Sequence, residues 1–96
     1  MVDERSKKII IAVISAIIPQ AKIILFGSRA RGDFTAHSDI DIAIDTGKPV
    51  DILLIGEAKE MLKASNISAG IDLIDLSQVN SDFANNITKE GVIWKN

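Results

Sequence analysis

A chain of 96 residues, 47% hydrophobic and 25% charged, has material for one folded domain over residues 1–96 and no more. Thirteen acidic residues against eleven basic ones leave a net charge of −2, which counts against a general polyanion binder and so against nucleic acid as partner. With no cysteine and one histidine, His37, there can be no disulfide, thiolate metal site, cysteine nucleophile or chemistry that needs two imidazoles.

Asp3 is placed to cap a helix from about Glu4 to Ile18, closed by Pro19. Its apolar stretch, Ile9–Ile18, is about half the roughly 20 residues that a membrane-spanning helix needs. The basic lead Arg5–Lys8 imitates a signal peptide, but Pro19–Lys22 is a poor cleavage site, so the segment reads as the first helix of a cytoplasmic protein. At 3.6 residues per turn, Ile9, Ile10, Val13, Ile14 and Ile17 share one side, and Ile11 and Ile18 project to the other. That second pair is either scattered surface isoleucine or a stripe that docks a partner helix.

Lys22–Phe26 is a short apolar run ending at Gly27, as a buried strand would be. Ser38–Asp45 alternates, with Asp39, Asp41 and Asp45 on one parity and Ile40, Ile42 and Ile44 on the other, and Thr46–Pro49 turns the chain. From Asp51 to about Ser65 the spacing predicts a helix that buries Leu54, Ile55, Ala58, Met61, Leu62 and Ser65. Gly70 precedes a third strand, Ile71–Leu76. A last helix, from Ser77 or Ser81 to Glu90, stacks Val79, Phe83 and Ile87 and is ended by Gly91. The order α-β-β-α-β-α defines an α/β (α+β) fold: a small mixed sheet of three or four strands with helices packed on it.

Three segments carry chemistry. In Gly27-Ser28-Arg29-Ala30-Arg31-Gly32, glycine at a strand end admits a ligand to the backbone, and Ser28 adds an amide and a hydroxyl suited to phosphate. Arg29 and Arg31 could steady a polyphosphate, although their spacing sets them in different directions. Asp39 and Asp41, two apart on a strand, point the same way. They are either a pair for a hard cation such as Mg²⁺ or the solvated outer face of an amphipathic strand. Asp72 lies among aliphatics inside the third strand, where an unpaired carboxylate is costly, whereas Asp75 at the strand exit is explained by helix capping. Asp45, His37 and Trp94 have sufficient explanations in a strand end, a surface loop and packing.

In combination, Leu25–Gly32, Ser38–Ile42 and Ile71–Leu73 resemble the nucleotidyltransferase superfamily of DNA polymerase beta and the kanamycin nucleotidyltransferases. More closely, the chain resembles the minimal nucleotidyltransferases of bacteria and archaea, from about Ile9 to Trp94. The resemblance implies that Gly27 and Ser28, helped by Arg29 or Arg31, hold the phosphates of a nucleoside triphosphate. It also implies that Asp39 and Asp41 bind Mg²⁺ (two ions, with Mn²⁺ a substitute), with Asp72 as third ligand or as base. ATP is the expected donor by family habit, since no residue in the sequence reads the base.

Many relatives hold their acceptor with an additional domain, and nothing in this sequence supplies one. A partner is therefore expected to present the acceptor in a homo- or hetero-oligomer. The resemblance points to a helical HEPN-type toxin, adenylylated on a hydroxyl by its antitoxin. Two other readings stay open: transfer to a small molecule or an RNA end, and an antitoxin that binds nucleotide but neutralises its toxin by contact alone.

Overall fold

Short polar side chains set where the helices begin. The computed structural model describes residues 2–96, in the order α1 (Glu4–Ile17), β1 (Lys22–Phe26), α2 (Ser28–Arg31), β2 (Ile40–Asp45), α3 (Ile52–Ala64), β3 (Ile71–Asp75), a 3-10 turn (Leu76–Gln78), α4 (Ser81–Glu90) and β4 (Val92–Lys95). Asp3 accepts the Ser6 N–H at 3.0 Å, Asp51 the Leu53 N–H at 2.9 Å and Asn80 the Phe83 N–H at 2.9 Å. Each satisfies a donor that the first helical turn leaves free.

The strands form one mixed sheet in the order β3-β2-β1-β4. β1 runs antiparallel to β2 and β4, while α3 carries the chain back so that β3 lies parallel to β2. Alternation then divides the sheet between two cores. On one face Ile23, Leu25, Ile40, Ile42, Ile44 and Leu73 are buried under Ile10 and Ile14 of α1 and Ala58 and Leu62 of α3. On the other, Ile24, Phe26 and Ala43 are covered by Ile87 of α4. Each fully buried isoleucine contributes about 1.5–3 kcal/mol, so both faces hold the sheet.

The structure departs from the sequence reading at several points, one being the start of the last helix: α4 begins at Ser81, so Val79 lies outside it and does not stack in line with Phe83 and Ile87. The sheet has four strands, the upper of the two expected numbers, and the fourth is Val92–Lys95, a segment with no strand signal of its own; Trp94 lies in it and packs on the main core, as expected, with the Lys7 ammonium 5.7 Å from its ring centroid. The Ile11/Ile18 docking stripe does not exist. The chain leaves the helix at Ile18, so helical projection no longer applies there; Ile18 is fully buried and Ile11 packs against the core. On α3, Met61 is exposed instead of buried. Gly91 does end α4, but in an extended conformation; a Cβ there would meet the Ile87 carbonyl and the Ile24 side chain, so glycine is required by packing.

Candidate active site

The second face of the sheet is apolar at one end and acidic at the other. Asp41 is two residues from buried Ala43 on the same face of β2, and register sets it between Phe26 of β1 and Asp72 of β3. Asp39 precedes β2 and lies against Gly70, whose carbonyl accepts the Ile40 N–H at 2.8 Å. A Cβ on Gly70 would stand 2.6 Å from Asp39 Oδ1, so this glycine lets the loop before β3 close on the acid. Sequence reasoning had given Gly70 no such part.

Asp41 is half-buried, whereas Asp39 and Asp72 are exposed. Burial pushes the Asp41 carboxyl above its ordinary range, the charges of Asp72 and then Asp39 push it further, and Arg31 opposes them. Among the described residues, no three His, Cys, Asp or Glu side chains converge closely enough to hold a metal ion alone. What the site offers is an open, oxygen-only donor set. That suits Mg²⁺, which is commonly held by one or two carboxylates and completed by substrate phosphates and water. It does not suit a closed structural metal site.

The turn after β1 faces the same acids. Gly27 has φ 74° and ψ −157°, a region almost restricted to glycine. A Cβ there would overlap Asp41 Oδ2 and lie 3.0 Å from its Cγ. The Gly27 carbonyl accepts the N–H groups of Ala30 and Arg31, each at 3.1 Å, and Gly32 closes the turn in the left-handed region, its N–H donating to the Ser28 carbonyl at 2.9 Å. The N–H and hydroxyl of Ser28 have no hydrogen-bond partner among the described residues, leaving both for a ligand.

The two arginines diverge. Arg29 donates from Nε and Nη2 to the Ser38 carbonyl at 3.1 and 2.9 Å, and its guanidinium lies 5.1 Å from the Phe34 ring centroid. It thereby fixes the residue immediately before Asp39. Arg31 pairs with Asp33 at 3.3 Å and Glu90 at 3.7 Å, in contacts exposed enough to contribute about 0–1 kcal/mol, so its guanidinium can be redirected.

The remaining candidates lie elsewhere. Asp75 is buried and accepts the Val50 N–H at 2.8 Å, the Ser77 N–H at 3.0 Å and the Ser77 hydroxyl at 2.8 Å. It is a cap, and Asp72 is the third acid of the cluster. Asp45 accepts the Gly47 N–H at 2.9 Å, and His37 is exposed in the loop before β2. Cavities flank the acids on both sides. One of about 300 Å³ lies between Gly27, Arg31 and the α4 residues Phe83, Asn86 and Glu90. The other, of about 450 Å³, adjoins Gly70 and Asp72 and is rimmed by Lys59 and Lys63. Phe83, which the sequence stacks with Ile87, is exposed at this cavity instead, and Asn86 carries no signal in the sequence because only the path of α4 brings it here.

A glycine-serine turn thus faces an Asp-x-Asp strand, with a third acid on the neighbouring parallel strand. The chain belongs to the polymerase beta nucleotidyltransferase family, whose pattern it matches over residues 8–95. MntA of Haemophilus influenzae, by name a protein adenylyltransferase, is 30% identical over 93 residues, covering 95% of this chain and 82% of its own. A relative from Methanocaldococcus jannaschii, also a protein adenylyltransferase by name, is 41% identical over 73 residues, 73% of each chain. Among solved structures, a toxin–antitoxin complex with AMP-PNP contains a chain of 29% identity that superposes with a TM-score of 0.78, over 94% of this chain and 73% of that one. The complex of a tri-AMPylated HEPN toxin with its MNT antitoxin from Shewanella oneidensis has a chain of 26% identity and TM-score 0.73, over 97% and 72%. Among the described residues, no helix is long and apolar enough to cross a membrane.

Proposed function

We propose that the chain is a cytoplasmic, magnesium-dependent protein adenylyltransferase, the antitoxin of a toxin–antitoxin pair, which transfers AMP from ATP to a hydroxyl of a helical HEPN-type partner. The observation that carries this reading is the pairing of Asp41 with Asp72 across a parallel register, directly beside the Gly27 turn. The names of the relatives and the complexes in which they occur support the choice of donor and partner.

The chain's residues divide the work. Gly27 and Ser28 take the β- and γ-phosphates, with the free amide and hydroxyl of Ser28 donating to phosphate oxygens. Arg31 leaves its weak pairs with Asp33 and Glu90 to offset the charge that grows on the leaving group. Arg29 acts at one remove, holding the Ser38 carbonyl and through it the direction of Asp39. Asp39 and Asp41 would hold Mg²⁺ (two ions, or Mn²⁺), which would supply charge neutralisation at the triphosphate during transfer.

In-line displacement fixes the side of attack. With pyrophosphate leaving toward the Gly27 turn, the acceptor enters from the opposite side, where the larger cavity adjoins Asp72. The acceptor oxygen bonds to the α-phosphorus, the bond from that phosphorus to the α–β bridging oxygen breaks, and pyrophosphate departs. The hydroxyl proton goes to Asp72, the exposed carboxylate on that side. No histidine or cysteine is needed.

The test is label transfer from α-labelled ATP with Mg²⁺ to a co-purified HEPN partner, beside Asp39→Asn. Label on the partner that disappears in the variant is the expected result. An unlabelled partner, with ATP bound and the complex formed, would overturn the transfer reading in favour of neutralisation by contact.

A further inference from the structure

The smaller cavity has a composition that phosphate binding does not explain. Its wall opposite Gly27 is the exposed side of α4: the Phe83 ring, 41% exposed, then the Asn86 amide and, a turn later, Glu90. Phe83 is held edge-on by Phe26, with centroids 5.9 Å apart and planes at 78°, so its ring is oriented by the core yet uncovered. Phe26 is itself the register partner of Asp41, which puts the open ring one side chain away from the acids. The Asn86 amide makes no hydrogen bond among the described residues and offers both donors and an acceptor. A flat apolar surface beside a two-way hydrogen-bonding group is what a heterocyclic base requires.

We propose that this groove is the nucleoside subsite, in which the base of the donor triphosphate stacks on Phe83 and presents its hydrogen-bonding edge to Asn86. The assignment rests on the proposed function, since it takes the triphosphate to lie along Gly27 and Ser28. It adds the residues that hold and select the base. An aromatic acceptor is the other group that could stack here. In-line attack places it across the α-phosphorus from the leaving pyrophosphate, on the Asp72 side, and so leaves the Phe83 groove to the donor.

Equilibrium dialysis with Mg²⁺ separates the two parts of the ligand, using ATP for the whole and inorganic tripolyphosphate for the phosphates alone. Phe83→Ala is expected to weaken ATP by about tenfold or more, the usual scale for losing one base–aromatic stack, and to leave tripolyphosphate binding unchanged. Asn86→Ala is expected to narrow the preference for ATP over UTP. ATP affinity within about twofold of wild type in Phe83→Ala, with tripolyphosphate still bound, overturns the subsite. Failure of the unaltered protein to bind tripolyphosphate refutes the phosphate site and the subsite with it. Should Phe83→Ala lose tripolyphosphate as well, the variant is damaged and Asn86→Ala decides, because Asn86 is exposed and makes no contact that the fold requires. An unchanged ATP-to-UTP ratio there overturns the proposal.

Discussion

Replacing Gly27 by alanine perturbs the backbone and the acid cluster together, and Gly32 allows the two effects to be separated. Gly27 has φ 74° and ψ −157°, where a residue with a Cβ costs about 1–3 kcal/mol. Gly32 has φ 90° and ψ 3°, where the cost is about 1–2 kcal/mol. On strain alone the two alanine variants should be similar, each melting roughly 5–20 °C lower in a domain of this size. They differ in what the new methyl group meets. At Gly32 nothing lies within 4 Å, whereas at Gly27 the methyl overlaps the Asp41 carboxylate, which must move from its place. Thermal unfolding by circular dichroism and label transfer from α-labelled ATP read the two effects. Gly32→Ala should lose stability and keep activity at temperatures where it is folded. Gly27→Ala should lose activity by far more than its unfolded fraction accounts for. Equal activity in the two folded variants would refute the argument that Gly27 is glycine for the sake of Asp41.

Other substitutions separate structural acids from those of the site. Asp75→Ala leaves the Val50 and Ser77 donors unpaired and should cost about 1–3 kcal/mol in urea denaturation, with activity retained in the folded fraction. Asp72→Ala should show the reverse, near-normal stability with label transfer abolished. The raised Asp41 pKa means that the folded state binds this proton more tightly than the unfolded state. Without metal, the destabilisation is absent below the ordinary carboxylate range, grows through the window between the unfolded and folded values, and is complete above it. Asp41→Asn should therefore melt above wild type in metal-free neutral buffer, the gap closing in acid, and should lose most of the rise in melting temperature that Mg²⁺ gives wild type. Arg29→Lys, which cannot donate twice in one plane to the Ser38 carbonyl, should reduce kcat more than it reduces ATP affinity, as a positioning role requires.

What the sequence made legible was local. The caps at Asp3 and Asp51, the β2 alternation and the pointing of Asp39 and Asp41 to one side all follow from residue spacing, and the structure has them. The departures share a long-range cause. β4 is four residues long, too short for a periodic signal, and it is a strand because β1, some seventy positions away in the chain, lends it an edge. Ile18 looked solvent-facing only while the helix was extended through it. Ala43, on the polar parity of β2, gave no sign that it would be wholly buried, because α4 alone decides how far the dry part of that face reaches. Arg29 and Arg31 are alike in the sequence, and only the course of the loop to Ser38 assigns one to bracing and leaves the other beside the groove.

That dry patch bears on the chemistry. Along β2, the step from Ala43 to Asp41 crosses from a packed core to an acid cluster within one side-chain repeat. The apolar covering that buries Ala43 also removes part of the water from Asp41, and this burial is the largest cause of its raised pKa. Lower local dielectric strengthens repulsion among Asp39, Asp41 and Asp72 and, equally, their attraction for a cation and for the donors that surround a phosphate. Instability without ligand and affinity for ligand are then one electrostatic quantity seen from two sides. A substitution that relieves the first must weaken the second. Ile87→Ala tests this without altering the acids: it thins the covering of the second core and should cost about 2–5 kcal/mol in stability. It should also rehydrate Asp41, lowering its pKa toward the ordinary range and weakening Mg²⁺ binding measured without nucleotide, although Ile87 carries no group that could hold a metal. Unchanged metal affinity in folded Ile87→Ala would show that the acid cluster owes nothing to the core beside it.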